Sequence, residues 1–231
     1  MSPSLGVRPV TLLVACWLFP AAATSGQTVS GHAVLAAPKN STRLVGLTER
    51  VDGAWAGGVL DFGAGRLNVS LSGMRGRLTG SDPGSVPKRD VGEVSLHGRY
   101  GLRPWLGLEL RYTARAFSSA AGYQRWDLVG VGAAASRELG TAAVRAFASL
   151  VYFPMVSVRH QERPSFALGS DVGIALAPSK VPIAVTLSYR IERFRFAEAA
   201  ARSDQFEALT LSLGVRARRH AGRWTLGGAG Q

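Results

Sequence analysis

Between Trp105 and Phe117 the chain alternates strictly. Leu106, Leu108, Leu110, Tyr112, Ala114 and Ala116 fall on one face, and Gly107, Glu109, Arg111, Thr113 and Arg115 fall on the other. A period of two is a β-strand with one apolar and one polar face. The polar face carries full charges, so it does not line an ordinary oily core. An apolar outside around a charged inside is the pattern of a β-barrel seated in a membrane.

The same alternation recurs. Val94, Leu96 and Tyr100 oppose Glu93, Ser95, His97 and Arg99; Ile183, Val185, Leu187, Tyr189 and Ile191 oppose Thr186, Ser188, Arg190 and Glu192; Leu209, Leu211, Leu213, Val215 and Ala217 oppose Ala208, Thr210, Ser212, Gly214 and Arg216. Eight strands are read, at about 66–79, 91–101, 105–117, 123–138, 141–156, 165–177, 181–196 and 205–218. Two break phase, near Gly73 and near Val129, where a β-bulge would restore register. Links alternate in length. Gly101 to Pro104, Leu139-Gly140 and Pro178 to Lys180 are short; Gly80 to Asp90, Ser118 to Gly122, Ser157 to Pro164 and Ala197 to Asp204 are longer. Short turns at one end and long loops at the other are the habit of outer-membrane barrels.

The N-terminus fits export. Arg8 precedes a short apolar run, Val10 to Phe19, then Pro20 and the small residues Ala21, Ala22 and Ala23. This is a signal-peptide pattern, and the run is too short for a spanning helix of ~20 residues. Cleavage is expected near Ala23, leaving roughly 205 residues, enough for one domain of this kind. Cys16 lies in that leader and is the only cysteine, so the mature chain would have no disulfide and no thiolate metal site. Residues 24–65 read as a lead-in with short strands, and residues 219–231 as a tail or one further short strand.

The chain resembles the small eight-stranded outer-membrane barrels of the OmpA, OmpX and OmpW type, over about residues 66–218. The likeness is one of pattern and topology, with no signature motif. It implies an all-β, antiparallel, up-and-down transmembrane barrel, inserted by the barrel-insertion machinery, in contact with outer-membrane lipid and expected to be a monomer. One departure stands out. Such barrels usually end in an aromatic residue, whereas this chain ends Leu226 to Gln231, with Trp224 the nearest terminal aromatic. Ten strands, recruiting residues 54–62, are the alternative.

The polar faces assemble a candidate lumen set: Glu93, His97, Arg99, Glu109, Arg111, Arg115, Arg145, Asp171, Arg190, Glu192 and Arg216. An eight-stranded interior is just wide enough for side chains to fill it, so these groups should pair across it as a plug. Small residues, Gly92, Ser95, Gly107, Gly169, Gly173, Ala208 and Gly214, would leave room for them. Lys88, Arg89, Arg125, Arg159, Arg163, Arg193, Arg195 and Arg202 form a basic outer rim suited to the phosphates of lipopolysaccharide. Aromatic residues near strand ends (Tyr100, Trp105, Phe117, Tyr123, Trp126, Tyr152, Phe153, Phe194, Phe196 and Phe206) suggest two interfacial girdles.

Other readings are weaker. The net charge of +12 comes from arginines spread through the strands, with no recognition helix or RNA-binding signature, so nucleic acid is not the expected partner. Glu93, Ser95 and His97 share one strand face and have the composition of a hydrolytic triad, yet alternate polar residues occur in any barrel strand. His32, His160 and His220 lack ligand-like spacing, so neither metal nor cofactor is expected. The leading expectation is a non-enzymatic structural barrel of the outer membrane. A small pore or hydrophobic-solute channel, a lipid-modifying barrel enzyme and a soluble lipocalin-like binding barrel are the alternatives; the last would turn the apolar face inward.

Overall fold

The structure is a computed structural model. It describes residues 27–44, 47–80, 88–119, 122–140, 143–159, 162–178, 181–197, 202–220 and 223–226. The leader reading, His160 and the chain's last five residues lie outside them.

The chain runs up and down through ten long strands: β1 (Thr28–Leu44), β2 (Leu47–Ala64), β3 (Leu67–Gly80), β4 (Arg89–Arg103), β5 (Leu106–Ser119), β6 (Gly122–Glu138), β7 (Val144–Val158), β8 (Phe166–Leu176), β9 (Ile183–Arg195) and β10 (Ser203–His220). Each pairs antiparallel with the next, and β1 pairs with β10, from Thr28 opposite Arg218 to Arg43 opposite Ser203. The sheet is therefore closed and leaves no free edge along its main ladder. A short β11 (Arg223–Leu226) folds back on the end of β10, with Ala217 opposite Leu226.

Ten strands replace the eight expected. The described part of the expected lead-in holds β1 and β2, both full-length. Their pattern is hard to see because β1 carries Pro38, Lys39 and Asn40 in its outer half, and β2 carries Gly53, Gly57 and Gly58. Gly57 is needed for packing, since a Cβ there would lie 2.0 Å from the Gly73 carbonyl oxygen. At the end shared by the chain termini, β2 and β3 meet in a two-residue turn with Gly65 at φ 58°, a left-handed conformation that favours glycine.

The outer surface carries a continuous apolar band. Leu35, Leu60, Leu71, Leu96, Leu110, Val131, Leu150, Ile174, Leu187 and Leu211 are all exposed on it. The decisive comparison is between neighbours: Leu110 is 57% exposed and Arg111 2%. Apolar side chains face out and charges face in, the reverse of a soluble lipocalin-like barrel.

Toward the loop end that sense inverts. Arg50, Asp52, Arg75, Arg77, Asp90, Arg125, Asp127, Arg193 and Arg195 lie on the outer wall. Inside at the same height, Val51, Trp55, Leu78, Val91, Phe117, Trp126, Phe153, Phe194, Phe196 and Phe206 form a buried apolar cluster. The strands thus project beyond the apolar band and behave there like the strands of a soluble barrel. This inversion explains the phase break near Gly73: β3 keeps its register, and only the chemistry of its two faces changes. β6 inverts in the same way near Val129, with Arg125 and Asp127 on the same outer face as Val131. A bulge does occur there, but its extra residue is on the partner strand β7, where Phe153 and Pro154 together face Gly130 between the pairs Val129–Met155 and Val131–Tyr152. Most of the outer girdle dissolves for the same reason. Tyr100, Trp105, Tyr123 and Tyr152 are exposed on the wall, while Phe117, Trp126, Phe153, Phe194, Phe196 and Phe206 fill the bore.

Candidate functional site: the lumen

The lumen has three layers. The middle one is an ion-pair septum. Arg115 from β5 bonds Glu93 of β4 at 2.7 Å and Glu192 of β9 at 2.9 Å. Arg190 of β9 bonds the same Glu93 at 2.9 Å. Arg111 of β5 bonds Glu109 and Asp171 of β8, both at 2.6 Å. Because β5 and β9 stand four strands apart in a ring of ten, the Arg115–Glu192 bond crosses the bore. Glu93, Arg111, Arg115 and Glu192 are all at most 3% exposed. Charges so deeply buried persist only when paired, and here every one is.

Sequence position explains the assembly. Glu93 and Arg115 are directly opposite on β4 and β5, as are His97 and Arg111. Asp171 and Arg190 are opposite on β8 and β9. Residues two apart on a strand share a face, so each strand contributes a vertical pair: Glu93 with His97 further down, Arg111 with Arg115, Arg190 with Glu192. Ser95 and Thr113, a further opposed pair, share a hydrogen bond of 3.1 Å inside the septum.

Above the septum lies the apolar layer. The guanidinium of Arg115 sits 3.7 Å from the Phe206 ring centroid, and that of Arg190 5.3 Å from it. Phe206 stacks on Trp55 at 5.4 Å, and Trp126 packs on Phe194 at 4.9 Å. Over this layer opens a cavity of about 390 Å³ at the loop end, lined in part by Arg89, Arg115, Tyr123, Trp126 and Arg202. Below the septum is a larger cavity of about 720 Å³, reaching the turn end between Arg66, Arg99, Arg103 and Arg145.

The structure thus brings together Glu93, Glu109, Arg111, Arg115, Asp171, Arg190 and Glu192. His97 and Arg99 stand just below, in the wall of the lower cavity. Arg145 does not join the network; it is exposed at the mouth and bonds Glu138 at 3.4 Å. The side chain of Arg216 lies outside the described part. Gly92 is on the outer face, because its neighbour Glu93 points inward.

The basic rim divides. Arg125, Arg193 and Arg195 are exposed on the outer wall, with Arg125 bonded to Asp127 and Arg193 to Gln205. Lys88, Arg159 and Arg163 are exposed at the loop end. Arg89 and Arg202 instead turn toward the upper cavity, where Arg89 bonds Glu49 at 2.6 Å and Arg202 bonds Asp204 and stacks on Phe196.

No triad forms around Ser95. Its hydroxyl bonds Thr113 and Glu93, while Nε2 of His97 is buried without a partner. Sequence reading missed a second polar cluster, on β1 to β3. There Asp61 accepts from Ser30 and Ser70, and His32 Nε2 lies 3.2 Å from both the Asp61 carboxylate and the Ser30 hydroxyl. Both partners meet the same imidazole nitrogen, so this is no relay from acid through base to nucleophile. Ser30, His32 and Asp61 lie in the stretch whose alternation is weakest, which hides the face they share with Ser70. Among the described residues, no group of three or more metal-ligating side chains occurs.

A ten-stranded closed barrel with an apolar outer band has the fold of the small outer-membrane barrels. Comparison with solved structures gives likenesses of fold. The outer-membrane protease OmpT from Escherichia coli matches over 86% of this chain and 99% of its own, at 12% identity and a TM-score of 0.52. The translocator domain of the autotransporter NalP from Neisseria meningitidis matches over 85% and 89%, at 12% identity and 0.48. Neisserial surface protein A matches over 82% and 96%, at 12% and 0.35. At such identities the likeness is one of fold. No protein-family model and no curated sequence matches the chain.

Proposed function

We propose that this protein is a non-conducting structural barrel of the outer membrane, without enzymatic activity, inserted with its short turns toward the periplasm. One observation carries the reading: the septum of Arg111, Arg115 and Arg190 with four carboxylates spans the bore, capped by a buried aromatic layer. A solute would have to break several crossing ion pairs and part packed rings. The apolar band supports the membrane setting, and the exposed arginines on the outer wall above it suit lipopolysaccharide phosphates. The test is electrical. Purified full-length protein in planar bilayers should show no large, stable channel. Steady high conductance from the unmodified protein would favour a pore.

A further inference from the structure

We propose that the lower lumen cavity is a binding site for a small oxyanion, entered from the turn end and held by Arg111, His97 and Arg99.

Charge is the first argument. The cavity of about 720 Å³ is lined by five arginines and only two carboxylates, Glu109 and Asp171. Both carboxylates are already spent on Arg111. Arg99 donates to the backbone carbonyl of Ala134 at 3.3 Å and has Glu109, already bonded to Arg111, as its cross-strand neighbour. The excess is positive, and it lines a recess where low-dielectric walls concentrate the field.

Unused donors are the second argument, and an independent one. Arg111 is 2% exposed, and its Nε and Nη2 are engaged by Glu109 and Asp171. Its Nη1 is buried with no partner, and so is Nε2 of His97. The two residues are a cross-strand pair on the cavity wall, so their side chains stand side by side. Arg99 lies two residues beyond His97 on the same face. Buried donors left unmade are costly, and two such atoms on neighbouring residues, in the wall of a recess with surplus positive charge, call for an acceptor that is itself charged. A guanidinium, and an imidazole in the tautomer that carries its proton on Nε2, suit the oxygens of a phosphate or carboxylate. Volume is sufficient, since small-molecule sites run from ~300 to ~1,000 Å³. The site stands whether or not the septum above it passes ions.

The test uses the full-length refolded barrel in detergent, at low ionic strength, by calorimetric titration with inorganic phosphate and, separately, with succinate. Saturable binding of at least one is expected, and which one binds says whether phosphate or carboxylate is the natural group. Arg99→Gln should weaken it about ten-fold, the loss of a charge-assisted hydrogen bond. Arg145→Gln, at the open mouth, should weaken it by a smaller factor, and supplies the comparison if the first variant fails a heat-modifiability check of folding. Arg77→Gln, on the outer wall, should leave it unchanged. The proposal falls if neither ion gives saturable heat, if neither cavity variant weakens binding, or if Arg77→Gln weakens it as much as they do.

Discussion

Arg115 lays its guanidinium 3.7 Å from the centroid of Phe206 while bonding carboxylates on two different walls, Glu93 and Glu192. One side chain thus joins the ionic septum to the aromatic layer above it. Burying such charges costs free energy, which the interlocked pairs and the ring face offset together. Glu93 is the hinge of this arrangement, since it serves both Arg115 and Arg190.

Glu93→Gln should therefore be severe. It leaves two buried guanidinium groups short of a charge, at a cost of about 3–5 kcal/mol. Phe206→Leu keeps every ion pair and should cost less, about 1–2 kcal/mol, chiefly from the cation–π contact. Urea unfolding of the refolded protein in lipid vesicles measures both. A Glu93→Gln midpoint close to that of the unmodified protein would show that water reaches the septum freely.

The lumen also fits by close apposition. A Cβ on Gly214 would lie 2.2 Å from His32 Nδ1, so glycine here makes room for the imidazole across the β1–β10 seam. Gly214→Ala should destabilise the barrel by about 1–3 kcal/mol through overpacking. In a His32→Ala background the same change should be neutral or slightly favourable, because alanine suits a strand better than glycine by roughly 0.5–1 kcal/mol. A double-mutant cycle that came out additive would mean the seam relaxes around the clash.

What was legible in the sequence follows from where the membrane solvent acts. Inside the apolar band, lipid selects Leu, Val, Ile and Tyr on alternate positions, and β4, β5, β9 and β10 declare themselves. The facing of Glu93, Glu109, Arg111, Arg115 and Arg190 comes directly from that alternation. Above the band, water bathes the outer wall and the bore is apolar, so Arg75, Arg77 and Leu78 alternate in the opposite sense. A single rule of apolar outside then reads β3 as broken and places Phe194 and Phe206 in a girdle. β1 and β2 escaped because much of their length is small or lies in the inverted zone. Which arginines would pair across the bore could not be read from one strand; the Arg115–Glu192 and Arg111–Asp171 bonds depend on ring closure.

Facing has a direct test. Leu110→Arg places a charge on the lipid face and should impair insertion by roughly 2–4 kcal/mol near the midplane. The control must face the lumen where space exists. Thr113 faces inward but is fully buried beside Ser95, so an arginine there would overpack. Ser149 lines the lower cavity opposite Asp171, and Ser149→Arg should insert normally. Insertion yield into vesicles, read as the heat-modifiable fraction, separates the two. Equal yields would mean that position 110 does not meet lipid.

Arg111 is held by two acids, Glu109 and Asp171, and by them alone among the charges of the lower septum. Replacing both, as Glu109→Gln with Asp171→Asn, removes the bond that ties β5 to β8 across the bore. Arg111 then keeps its charge without a countercharge, in a site from which most water is excluded, and it should swing toward the water of the lower cavity. The upper pairs, Arg115–Glu93–Arg190, stay intact, so the bore should not open fully. Planar-bilayer recording is expected to show brief, small openings, more frequent than in the unmodified protein and favouring anions because the freed group is cationic. Records as silent as those of the unmodified protein would assign the block to the aromatic layer rather than to the ion pairs.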